Sequence, residues 1–192
     1  MILLDPELDP DRAAPPSAIA PLGVLRPRVP WRERIPSRQT LSRFLAQAQS
    51  AVRLRGQVTV LLTTDRAVRR LNRQFRGKDK ATDVLSFPAL EAASRRVSRS
   101  ASERVIGDLA ISVDTARKQA AEQGHALTCE LKVLMLHGLL HLAGHDHETD
   151  AGEMAQRERA LRARLALPLG LIERSAHKRS PLKKSIPWGR RA

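Results

Sequence analysis

Residues 137–147 read His-Gly-Leu-Leu-His-Leu-Ala-Gly-His-Asp-His, which sets His137, His141 and His147 at i, i+4 and i+10. Side chains four residues apart on an α-helix lie above one another, so His137 and His141 project from one face. Gly144 can adopt the left-handed conformation that ends a helix, after which His147 can turn back as a third ligand. Three imidazoles at this spacing predict one zinc ion per chain with a position left open to water. Zinc lowers the pKa of such a water to about 7 and so supplies hydroxide for hydrolysis. A purely structural zinc normally takes four protein ligands instead. Within the same turn, His145 is a candidate fourth ligand or acid, although packing or exposure is its simpler role. Asp146 is a candidate for orienting a histidine from behind. His125 and His177 carry no partner signal.

The same spacing serves the His-Glu-x-x-His-x-x-Gly-x-x-His metalloproteases, but Gly138 stands where they keep a glutamate. Without that carboxylate, peptide hydrolysis lacks the base that activates the metal-bound water. Charge points to another substrate. The 192 residues carry 34 basic and 20 acidic side chains, a net +14, and 42% hydrophobic content. Arginine dominates the basic side, and its planar fork suits phosphate, so a polyanion, nucleic acid above all, is the expected partner. Three Phe, two Trp and no Tyr leave little material for a base-stacking platform. Shape and backbone reading are the better fit. Arg76, in the segment Leu71-Asn-Arg-Gln-Phe-Arg-Gly-Lys-Asp-Lys-Ala-Thr-Asp-Val-Leu-Ser-Phe-Pro88, is a candidate phosphate clamp. On spacing alone, Arg69, Arg70, Arg73 and Arg76 fit a solvated helix face equally well.

The elements that must hold these residues follow from periodicity. Ile2 to Leu4 can form a short strand, and residues 9–36 are rich in proline, which reads as an extended connection. Leu41, Phe44, Leu45, Ala48 and Val52 recur at helical spacing behind a Ser37 cap. Gln57 to Thr63 is a β-branched and apolar strand. Asp65 is the expected cap of a helix that turns Val68, Leu71 and Phe75 to one side. Strands are expected at Asp83 to Phe87 and Val105 to Ser112, with a basic loop over 89–104 between them. Helices are expected from about Asp114 to Gln123, from a Thr128 cap to Ala143, and over 150–166, the last charged on one side and closed by Pro168. The Thr128 helix is apolar nearly all round and so should be buried. Residues 170–192 hold seven basic residues against one acidic. These elements predict an α+β fold: a single domain with one small mixed sheet packed by helices, and a central buried helix carrying two metal-ligand histidines. The expected divisions are 1–36, an N-terminal strand with its proline-rich extension; 37–169, the metal-dependent catalytic domain; and 170–192, a basic tail.

Cys129 is the only cysteine, so there is neither a disulfide framework nor a cysteine metal cluster, as in a reducing cytoplasm. It reads as an inert small residue near a helix start. The N-terminus resembles neither a secretory signal nor an anchor, and no apolar run approaches the roughly 20 residues that span a bilayer. A cytoplasmic protein without a membrane partner is expected.

Three ordered blocks resemble a known family: Asn72-x-x-x-Arg76-Gly-Lys-Asp-Lys-x-Thr-Asp-Val-Leu-Ser-Phe-Pro, Gly107-Asp-Leu-x-Ile-Ser and the histidine box. Over roughly residues 37–166 the chain is similar to the YbeY family, the bacterial ribosomal-RNA maturation endoribonucleases. The resemblance implies an α+β fold, a zinc held by His137, His141 and His147, and a basic cleft with a functionally required arginine that aligns with Arg76. It also implies single-strand endoribonuclease activity in 16S rRNA 3′-end maturation, 30S assembly and ribosome quality control, with ribosomal RNA and the small ribosomal subunit as partners. The competing class is a non-enzymatic ribosome-assembly factor with a structural metal. The chain departs from the family in residues 9–36, 89–104 and 170–192, and at His145, where many members carry tyrosine.

Overall fold

A computed structural model of the chain describes residues 1–8, 33–89, 104–145 and 150–169. The strand β1 (Ile2–Leu4) leads the chain, and helix α1 (Arg38–Val52) is capped by Ser37, whose hydroxyl accepts from the Thr40 amide at 3.2 Å. All five of its periodic apolar residues are buried. Strand β2 (Gln57–Thr63) feeds helix α2 (Asp65–Arg76), and β3 (Val84–Pro88) and β4 (Val105–Ser112) follow. Next come α3 (Val113–Glu122), α4 (Leu127–Leu142) and α5 (Glu153–Arg164). The result is α+β: a four-stranded mixed sheet with five α-helices among the described residues.

Two caps differ from expectation. Thr64, not Asp65, caps α2 by accepting from the Ala67 amide at 3.3 Å. The Asp65 carboxylate is drawn away to α3, where it accepts from Thr115 Oγ1 at 2.6 Å, from Ser112 Oγ and from Lys118 Nζ at 3.2 Å. Thr128 lies inside α4, whose N-cap is Ala126 with no side-chain cap at all. Burial of the helix replaces the cap as the source of its stability, because α4 packs on α1, α3, β3, β4 and α5 together. The tail helix starts later than expected, at Glu153, where Asp150 accepts from the Gly152 and Met154 amides at 2.8 and 2.7 Å.

The strands run in the order β1-β2-β4-β3, parallel except for β3, which pairs antiparallel with β4 at the edge. Alternation along the strands separates two layers. Val58, Val60, Leu62, Leu109 and Ile111 join α1 and α4 in the main core. Leu85 and Ala110 face the other way, against Val68 of α2. Leu131, Val133, Leu134, Met135, Leu136, Leu139 and Leu140 are each at most 1% exposed, as expected of a helix that is apolar all round.

Both α2 and α4 finish at the same end of the β3–β4 pair. Phe75, in the last turn of α2, meets Phe87 edge-on at 5.3 Å between ring centroids. Leu142, the last residue of α4, closes over Gly107, which pairs with Pro88. Gly107 (φ 153°) has no room for a Cβ, which would strike the Phe87 carbonyl and come within 2.9 Å of Leu142 Cδ2.

Candidate metal centre

His137 and His141 face one another from successive turns of α4. Their Nε2 atoms are 3.1 Å apart, with ring centroids separated by 4.8 Å and planes crossing at 78°. Two ligands of one tetrahedral zinc, each about 2.0–2.1 Å from the ion, stand about 3.4 Å apart, so the pair fits a shared ion with little adjustment. His147 and Asp146 lie outside the described residues. Gly144 has the expected left-handed φ of 87°. The Gly144 amide donates to the His141 carbonyl and the His145 amide to the Leu140 carbonyl, both at 3.0 Å, which is the paired closure of a Schellman turn. The chain therefore leaves α4 just beyond the histidines. His145 is half-buried in that turn.

Behind His137 lies a group that the sequence reading missed. His137 Nδ1 donates to Glu158 Oε2 at 2.9 Å, and the other carboxylate oxygen accepts from Arg162 Nε at 2.8 Å and from its Nη2. Arg162 Nη1 in turn donates to the Pro168 carbonyl at 3.1 Å. Glu158 and Arg162 are 1% and 0% exposed. Burial by itself pushes the Glu158 carboxyl up, but hydrogen bonding and charge from His137 and Arg162 outweigh it and hold the group below the usual range. An anion at Nδ1 fixes the proton there and turns the Nε2 lone pair of His137 toward His141, the arrangement that metal-binding histidines use. The helix that carries this pair is thus not simply charged on its outer side. Met154, Glu158, Leu161 and Leu165 follow one another at intervals of three and four residues, and a charged residue inside that apolar stripe was the available signal.

Gly138 occupies the place of the protease glutamate for a packing reason. A Cβ there would lie 2.8 and 3.0 Å from the Leu109 methyls and 3.3 Å from Ser86 Oγ. The helix lies against β3 and β4 at this point, and the position faces the sheet. No catalytic carboxylate can project from it.

Arg76 ends α2 on the opposite face of the sheet, exposed, and makes no hydrogen bond or ion pair among the described residues. The structure does not bring it into contact with the histidines. It sets both at one end of the β3 edge, through the Phe75–Phe87 and Gly107–Leu142 contacts. Asn72 is buried and its amide donates to the Lys80 carbonyl at 2.7 Å, strapping the loop after Arg76 to α2. His125, for which the sequence carries no partner signal, has a partner: its Nε2 lies 2.5 Å from Oε2 of the fully buried Glu130. That contact depends on the tight turn between α3 and α4, which periodicity does not reveal. Cys129 is half-buried, and burial pushes its thiol up, away from the thiolate a nucleophile needs. No described helix is long and apolar enough to cross a membrane.

Residues 33–166 match the family model described as Endoribonuclease YbeY. The chain belongs to the YbeY family. Endoribonuclease YbeY of Koribacter versatilis is 53% identical over 149 residues, spanning 78% of this chain and 89% of that protein. Endoribonuclease YbeY of Solibacter usitatus is 49% identical over 137 residues, spanning 71% and 85%. A solution structure of a Thermotoga maritima protein is 27% identical with a TM-score of 0.47, covering 69% of this chain and 85% of that one. The matched segment takes in α1 through α5, and with them the three motif histidines, Glu158, Arg162 and Arg76.

Proposed function

We propose that the chain is a zinc-dependent endoribonuclease that cleaves single-stranded RNA. Its place is in 16S rRNA 3′-end maturation, 30S assembly and ribosome quality control in the cytoplasm, with ribosomal RNA and the small ribosomal subunit as partners. Membership of the YbeY family supports the RNA-cleaving class. The single observation that carries the metal is the facing pair of Nε2 atoms on His137 and His141, one of them backed by Glu158.

His137, His141 and His147 would hold the ion. Bound there, zinc would acidify a water and polarise a phosphoryl oxygen. Arg76 clamps the phosphate and meets the charge that develops on it. Glu158 keeps His137 in the tautomer that ligates, and it is no general base, because both of its oxygens are already engaged. Gly138 keeps the helix close to the sheet, so the histidines sit at a fixed height over the β3 edge.

The test is to count zinc in the purified full chain and to follow cleavage of a single-stranded RNA before chelation, after it, and after zinc is returned. Cleavage should vanish and then recover, and Arg76→Glu should lose cleavage while keeping its zinc. Unchanged cleavage by the zinc-stripped chain would refute the proposal. Neither wild-type cleavage nor dependence on Arg76 would leave the assembly factor with a structural metal as the better account.

A further inference from the structure

Helix α2 shows two different sides. Ala67, Val68 and Asn72 are buried against the sheet, while Arg66, Arg69, Arg70 and Arg73 stand exposed at i, i+3, i+4 and i+7. These four, with Asp79, line an open groove of about 400 Å³. Like charges three and four residues apart destabilise a helix by a few tenths of a kcal/mol a pair, so the stripe is not there for stability. Only Arg69 of the four makes a salt bridge among the described residues, to Asp79, through Nε at 2.8 Å and Nη2 at 2.7 Å. That bidentate carboxylate occupies the groove as an anion, and Arg73 acts on it electrostatically as well.

We infer that this outer face of α2 binds the sugar-phosphate backbone of single-stranded RNA and leads it to Arg76, with Asp79 occupying one phosphate position until RNA displaces it. The inference rests on the endoribonuclease reading and extends it from the reacting phosphate to the strand beside it. At 1.5 Å per residue, Arg66 to Arg76 spans roughly 15 Å. That is the reach of roughly four stacked nucleotides at about 3.4 Å each. Planar guanidinium forks suit phosphate oxygens. An acidic protein is the other polyanion to consider, but protein interfaces have an apolar centre, and no apolar side chain lines this groove.

The experiment measures binding of a short labelled oligo-uridine, 2′-O-methylated so that it cannot be cleaved, to the full chain across a salt series. Three lost phosphate contacts at about 0.7 each make the slope of log affinity against log salt shallower by about 2, which is roughly 50-fold in affinity at 0.15 M salt. The triple variant Arg66→Gln, Arg70→Gln, Arg73→Gln should show that loss. An equal charge removal on and after α1, Arg38→Gln, Arg43→Gln, Arg55→Gln, should leave the slope near that of the wild type. Asp79→Asn should tighten binding several-fold by releasing Arg69. Wild-type affinity in the α2 triple, an equal loss in the α1 triple, or weaker binding in Asp79→Asn would overturn the inference. So would loss of poly-glutamate binding in the α2 triple with RNA binding intact, which would make the face a protein site. Binding of an uncleavable strand is read separately from zinc content and cleavage, so failure of the enzymatic reading and failure of this one are distinguishable.

Discussion

Helices α2 and α4 rest on the same pair of strands from opposite faces and end at the same edge, yet they are built in opposite ways. α4 buries eleven of its sixteen residues and carries its half-buried histidines beside buried carboxylates that have ion partners: Glu158 with His137 and Arg162, and Glu130 with His125 through one of its oxygens. α2 buries three residues and turns five arginines to solvent. Around the buried carboxylates behind the histidines a hydrogen bond or charge pair acts at low dielectric, so geometry is rigid and errors are costly. In the open groove each charge is screened, and only the sum over several phosphates matters. Fold stability should therefore depend on the surroundings of α4 and hardly at all on the outer side of α2.

The sharpest way to break that contrast is Arg162→Ala. It strands the buried Glu158 carboxylate and should cost about 3–5 kcal/mol in urea unfolding. Gly138→Ala comes next. The added methyl must displace Leu109 or lift α4 from the sheet, at about 1–3 kcal/mol, and should weaken zinc binding with it. A smaller effect is expected at the junction of α2 and α3. Burial raises the Asp65 carboxyl, but the hydroxyls of Ser112 and Thr115 and the Lys118 ammonium outweigh it and set it below its ordinary value. A group depressed in the folded state contributes stability above its unfolded pKa and loses it as pH falls through the folded one. Wild-type stability should thus drop with acid across the low carboxylate range, and Asp65→Asn, already without that contribution, should show a flatter acid limb. Smallest of all for the fold, Arg76→Glu should change stability by no more than about 0.5 kcal/mol while removing cleavage.

The same contrast explains what the sequence discloses. Periodicity and cap chemistry locate β2 and β4 to the residue, place α1 behind Ser37 and identify α4 as the buried helix. All of these depend on local pattern. The strand order does not, because the crossover that sets β4 between β2 and β3 is a tertiary choice. In the site, the spacing of His137, His141 and Gly144 is helical geometry and can be read directly. Glu158 supports His137 from 21 residues away, and its helix is rich in charged residues that hide one turned inward. Thr64 and Asp65 are both good caps, and only the position of α3 decides between them.

The central claim is that the α4 histidines hold the metal on which RNA cleavage depends. His141→Ala tests it most directly, with bound zinc and single-stranded RNA cleavage measured on one preparation whose melting confirms a folded chain. Zinc and cleavage should fall together to near zero. A folded variant that cleaves RNA at the wild-type rate without its zinc would contradict the account.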